Sequence, residues 1–270
     1  MRKAIVSLLL MLGGAAIFVL GNPYYAVFPT NGNQTYYVAL ALFFLVLSAA
    51  LRRSRSLSRY WPAAYALFIA SAALLLLNAW IVNLERFAVG RLQSLALDKL
   101  SQSLHVVPVI VGLTLLAKHD LKAIFISKGR LRQGLAFGLL SFVAWTVLAV
   151  ILQSVPVGVY RSPGATVPWI LLFVFANAIM EELWFRGIFL KPYERVVGRH
   201  AAVLVTSAVF GVSHVFATYD FPGGGNVFGL VVFVLGLVSA YAMLKHDSLI
   251  GPVLFHAGYD LLVIGSVLNS

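Results

Sequence analysis

Apolar residues in this chain gather in long runs, not in alternation, and the runs recur along its whole length: 4–20, 36–51, 61–82, 104–117, 135–155, 168–190, 201–216, 227–244 and 249–267. About 20 consecutive apolar residues cross a bilayer as a helix, so the pattern predicts up to nine spans. Two runs, 104–117 and 201–216, are short for that task; tilt, extension by neighbouring residues or shelter inside protein would each accommodate them. Between 84 and 102, leucines and charged residues mix at helical spacing, which predicts an amphipathic helix lying on the membrane surface. The uncharged, turn-rich loop 22–35 carries Tyr24 and Tyr25, which suit an interfacial belt.

Composition makes the class firmer. Of 270 residues, 61% are hydrophobic and 11% charged, with a mean hydropathy of +0.92. A soluble domain cannot bury that much apolar surface, so the expected fold is all-α: a polytopic integral membrane bundle of about eight or nine transmembrane helices. Cysteine is absent, which excludes disulfides, a thiolate nucleophile and a thiolate metal site. What remains for chemistry is histidine, serine and carboxylate.

Charge then orients the chain. Arg2, Lys3, Arg52, Arg53, Arg55, Arg59, Lys118, Lys122, Lys128, Arg130, Arg132, Lys191, Arg195, Arg199 and Lys245 all fall in loops on one side, fifteen in number; the other side has four, Arg86, Arg91, Lys99 and Arg161. Short loops rich in Lys and Arg stay in the cytoplasm, so the N-terminus is expected there and the C-terminus outside. The formal net charge of +11 is then explained by cytoplasmic loops resting on anionic lipid headgroups, and a nucleic-acid partner is not needed. Arg2 and Lys3 before an apolar run also resemble the start of a signal peptide, but no small-x-small cleavage site follows. The basic stretch around 118–132 divides the chain into 1–133, four spans almost free of buried charge with the amphipathic segment 84–102, and 134–270, five spans that hold the ionisable residues.

Those residues sit in three segments. The run 168–190 is interrupted by Glu181, Glu182 and Arg186, and ionised groups inside a span are costly enough to mark function. Glu182 stands four residues before Arg186, the favourable order for a helical ion pair, which leaves Glu181 free. The next segment has Phe210 and His214 one turn apart, and the last has His256 and Asp260 one turn apart. At about 1.5 Å per residue, Glu181 lies about 14 Å from the basic end of its segment, His214 about 20 Å, His256 about 11 Å and Asp260 about 17 Å. All four therefore share a central layer, and the site is expected to open toward the basic face. His105 and Ser213 read as satisfied core residues, and His119, His200 and His246 as solvated neighbours of basic loops.

E-E-x-x-x-R at Glu181, Glu182 and Arg186, F-x-x-x-H at Phe210 and His214, and H-x-x-x-D at His256 and Asp260 resemble, in that order, the three motifs of the CAAX protease and bacteriocin-processing (CPBP) family of intramembrane proteases. The resemblance covers roughly residue 135 to the C-terminus. Asp260 departs from the eukaryotic prenyl endopeptidases, which usually carry Asn. Membership would imply an intramembrane endopeptidase acting on a membrane-associated peptide or protein, CAAX-type or of a bacteriocin or signal-peptide type, in a prokaryotic plasma membrane. Glu181 would be the general base on a water also held by His214, His256 with Asp260 would face the oxyanion, and Glu182, Arg186 and Phe210 would support them.

The preferred expectation is that no cofactor is required. Zinc is the alternative, since Glu181, His214 and His256 form a two-histidine, one-carboxylate set; against it stand the absence of an H-E-x-x-H helix and the loss of Glu181 as base. Two other functions fit such residues: a proton or cation pathway of a transporter, and a non-catalytic membrane scaffold. Polar groups gathered at one depth, with no paired interrupted helices, disfavour the first; seven filled motif positions disfavour the second.

Overall fold

The computed structural model describes residues 2–23, 28–30, 32–79, 81–152, 154, 161–217 and 223–269, with side chains given to 265. Every regular element among them is helical: α1 Arg2–Phe18, α2 Gln34–Arg53, α3 Trp61–Asn78, α4 Arg91–Leu116, α5 Leu131–Ile151, α6 Pro163–Glu182, α7 Leu190–Val197, α8 Arg199–Val215, α9 Gly224–His246 and α10 Ile250–Asn269. Among the described residues, six stretches are long and apolar enough to cross a membrane, and they contain α2, α3, α4, α5, α6 with α7, and α9. With 17 residues each, α1 and α8 are slightly shorter. An apolar stretch of α10 over Ile250–Gly265 is shorter as well. Tyr24, Tyr25 and the end of the predicted 135–155 run lie outside the described residues.

Local sequence sets several boundaries. Asn33 caps α2 by accepting from the backbone N–H of Tyr36, and Pro62 and Pro163 occupy the first turns of α3 and α6, where a missing N–H costs nothing. Gly198, at φ 96°, separates α7 from α8, a left-handed conformation that favours glycine. The run 168–190, expected as one segment, is not one regular helix. After Glu182 it widens into a π turn over Leu183–Gly187, in which the Ile188 N–H reaches back to the Leu183 carbonyl at 3.2 Å.

The fourth run shows the largest departure. The stretch 84–102 does not lie apart as a surface helix: a short 3₁₀ turn at Glu85–Phe87 is followed by a helix that begins at Arg91 and continues unbroken to Leu116, passing through Pro108. The apolar run was short because the same helix carries polar residues in its first half. These residues face protein. Ala96, Ser101, Gln102 and His105 are buried, and α4 packs against α6 and α3.

The loops meet at two ends. At the basic end, the Arg130 N–H donates to the His246 carbonyl at 2.7 Å, the Leu249 N–H to the Phe125 carbonyl at 3.0 Å, and Lys191 pairs with Asp247 at 2.7 Å. At the opposite end, Tyr36 donates to the Ala16 carbonyl at 2.7 Å and Gln34 to the Asn78 carbonyl at 3.0 Å. The helices that matter most for chemistry are held by close neighbours: α8 by α9 and α1, and α10 by α5 and α6.

Candidate active site

Three helices bring their polar residues to one place. The C-terminal end of α6 gives Glu181 and Glu182, α8 gives His214, and α10 gives His256 and Asp260. His256 Nε2 lies 3.5 Å from Glu181 Oε2 and 3.5 Å from Asp260 Oδ1, and His214 Nε2 lies 3.9 Å from the same Glu181 oxygen. The layer anticipated from helix depth is therefore a physical cluster, and its side chains are mostly buried.

Each imidazole is fixed through its other nitrogen. His214 Nδ1 sits 2.8 Å from the Phe210 carbonyl, one turn earlier on its own helix, and His256 Nδ1 sits 2.8 Å from Glu182 Oε1. Both partners are pure acceptors, so each Nδ1 carries the proton and each Nε2 is turned toward Glu181. The backbone carbonyl one turn before His214 thus selects its tautomer.

The two adjacent glutamates have separate surroundings. Glu182, fully buried, is engaged by Arg186 Nη1 at 2.7 Å, His256 Nδ1 at 2.8 Å and the Ser239 hydroxyl at 2.6 Å. Among the described residues, Glu181 has the two histidine Nε2 atoms within ion-pair range, at longer distance. The expected pairing of Glu182 with Arg186 is present, but it is part of a network that also orients His256. Among the described residues, Arg186 Nε and Nη2 are buried without a hydrogen-bond partner; the guanidinium lies 4.1 Å from the centroid of the Phe210 ring, and that ring face supplies part of what further bonds would. Phe210 therefore does more than fill space.

Three contributors carried no motif. Asn177, a turn before Glu181, donates to Asp260 Oδ2 at 3.1 Å. Ser239 of α9 holds the second oxygen of Glu182. Lys99 of α4 lines the same cavities as Glu181 and His214, though its place in the sequence had put it on the outer surface; its ammonium is 3.5 Å from Gln102 Oε1, and Gln102 in turn donates to Asp98 at 2.7 Å. The signal for Lys99 was its spacing of three and four from Ala96, Gln102 and Ser103, which only tertiary packing could assign to an inner face.

The remaining histidines divide. His105 is a satisfied core residue, with Nδ1 on the Ser101 carbonyl at 2.7 Å and Nε2 accepting from the Val82 N–H at 3.0 Å. His119 stacks on Trp61, and exposed His200 meets the Tyr241 hydroxyl. His246 is not solvated as expected: the turn after α9 folds onto the start of α5 and buries it against Phe137.

The donor types suit zinc, and a ring held through Nδ1 with Nε2 directed inward is how ligating histidines are set. His256 Nε2 and His214 Nε2 stand 3.5 and 3.9 Å from one and the same Glu181 oxygen. The arrangement as it stands fits a water placed between Glu181 and the two Nε2 atoms.

Residues 163–262 match the family described as type II CAAX prenyl endopeptidase Rce1-like. They contain α6 through most of α10 and all the motif residues. The match supports membership in the CPBP family, and with it an intramembrane endopeptidase of CAAX type in general terms. Neither a curated protein nor a solved structure matches the chain.

Proposed function

We propose that this CPBP-family membrane protein hydrolyses a peptide bond of a membrane-associated substrate by a water that Glu181 activates, without a tightly bound metal. Glu181 takes a proton from the water as its oxygen attacks the scissile carbonyl, and His214 Nε2 holds that water from the other side. When the His256 ring carries both protons, Nδ1 stays with Glu182 and Nε2 is the donor for the developing oxyanion. Asp260, held by Asn177, keeps that ring edge in place. Collapse of the intermediate breaks the C–N bond, and the proton taken up by Glu181 passes to the leaving amine.

The observation that carries this reading is the division of labour between the glutamates. Glu182 is occupied by three partners, whereas Glu181 faces Nε2 of both histidines. The test compares peptides released in membranes bearing the native protein and Glu181→Gln, followed by kinetics on whichever peptide is cut. Loss of a general base costs typically 10²–10⁴-fold, so activity should fall by about that much while yield and thermal stability stay near native. The purified native protein should hold zinc well below one equivalent and keep its activity after exhaustive chelation. Stoichiometric zinc, with activity lost on removal and restored on return, would overturn the metal-free mechanism.

A further inference from the structure

Around Glu181 the protein is closed on one side and hollow on the other. Toward the basic loops, Glu182 and Arg186 are fully buried, and beyond them Ile124, Phe125, Ile188, Phe189 and Leu190 form an apolar layer in which no residue exceeds 4% exposure. A separate small cavity at that end, lined by Thr114, Ile124, Ile188 and Lys191, includes none of the site residues. In the other direction, Glu181 and His214 form part of the wall of a cavity of about 230 Å³. It reaches Asn22 and Pro23 just beyond α1, Leu77 at the end of α3 and Ala217 just beyond α8. Those are the ends of the helices that begin at Arg2, near Arg59 and at Arg199. The cavity thus runs away from the fifteen basic loop residues, and the sequence-based expectation that the site opens toward them is reversed.

The basic loops mark the cytoplasmic side. We infer that the substrate reaches Glu181 from the extracytoplasmic side, so that the chain acts on a peptide or protein already exported or anchored in the outer leaflet. This deepens the protease reading and rests on it for the chemistry. The cavity wall fits such an occupant. Phe18, Leu74, Leu77 and Trp184 offer apolar surface, while Asp98, Lys99 and Gln102 line it with polar groups from α4. An extended peptide entering a span needs both, apolar surface for side chains and polar groups for its backbone. Water for hydrolysis would enter by the same route.

The absence of cysteine makes the test direct. Single variants Ala217→Cys and Leu77→Cys at the cavity, Glu181→Cys in the catalytic layer, and Ser56→Cys in an exposed basic loop are treated with a membrane-impermeant maleimide in intact cells and in inside-out vesicles. Ser56→Cys should label only in inside-out vesicles, and the other three only in intact cells. Should Glu181→Cys fail to accumulate, Leu77→Cys reports on the same cavity. Labelling of Leu77→Cys or Glu181→Cys from the side of Ser56→Cys, or from neither side, overturns the inference, as does labelling of Ser56→Cys in intact cells. Labelling needs no substrate, so an inactive protein labelled as expected would count against the protease reading alone, and an active one labelled from the wrong side against the direction alone.

Discussion

At the scale of single residues, adjacent glutamates of identical chemistry have opposite consequences because their neighbours differ. Glu182 binds Arg186, His256 and Ser239 at once in a fully buried setting. Removing one partner of a buried pair leaves the other charge without compensation, at a cost of about 3–5 kcal/mol. Glu182→Gln should therefore lower folding yield and shift thermal unfolding in detergent by an amount of that order, with activity lost as His256 is released; Glu181→Gln should leave the unfolding curve near native. Equal unfolding curves for the two variants would refute this division. Much of this was legible in the sequence, since an acid four residues before an arginine announces its pairing and the adjacent acid is left over. The other two partners of Glu182 were not legible: His256 was expected to turn toward Glu181 and not to reach Glu182 with its second nitrogen, and Ser239 belongs to α9, an apolar helix with no motif around that position. Lys99 was hidden because its role depends on which way a helix faces; Asn177 shares the Glu181 face by its spacing of four, but its partner Asp260 lies on another helix.

At the scale of elements, the position of each histidine of the candidate site depends on glycines that let its helix approach a neighbour. On α10, a Cβ at Gly258 would come within 2.9 Å of Phe142 Cα on α5, and one at Gly251 within 2.8 Å of the Gly134 carbonyl. On α8, a Cβ at Gly211 would meet the Gly229 carbonyl of α9 at 2.8 Å. Small residues at such crossings permit the close backbone packing that holds membrane helices together. Gly258 lies between His256 and Asp260, and its Cβ position faces Phe142 and Trp145 of α5, so Gly258→Ala should push α10 and α5 apart and shift α10 relative to Glu181. A misplacement on the order of 1 Å can cost 10²-fold in rate; kcat should therefore drop by about that much, with Glu182 and Arg186 still paired and stability reduced less than in Glu182→Gln. Retention of full kcat would mean that α10 has slack at this crossing. The sequence revealed the existence of these helices through runs of apolar residues, but not the start of α4, where polar residues facing protein looked the same as polar residues facing water.

At the scale of the whole molecule, the family match covers residues 163–262, yet the site is completed by the part of the chain outside it. Trp184 donates to the Ala70 carbonyl of α3 at 3.2 Å, Phe185 stacks on Phe18 of α1 with centroids 4.0 Å apart, and α4 brings Lys99 and Asp98 to the cavity. We propose that residues 1–133 are the covering half of one catalytic unit and not an independent domain. Their composition hid this, since four spans with little buried charge look like an anchor; the direction of the cavity, set by the ends of α1 and α3, was hidden for the same reason. Without them, Glu181 and His214 would face hydrocarbon, where an ionised side chain costs at least about 2.5–3.5 kcal/mol at mid-bilayer. Residues 134–270 expressed alone should accumulate poorly and cleave nothing, whereas co-expression with 1–133 as a separate chain should restore both, read by co-purification of the two halves and by release of the same peptide that the intact protein cuts. Activity of 134–270 by itself would show that α1, α3 and α4 are dispensable, and with them the cavity route to Glu181.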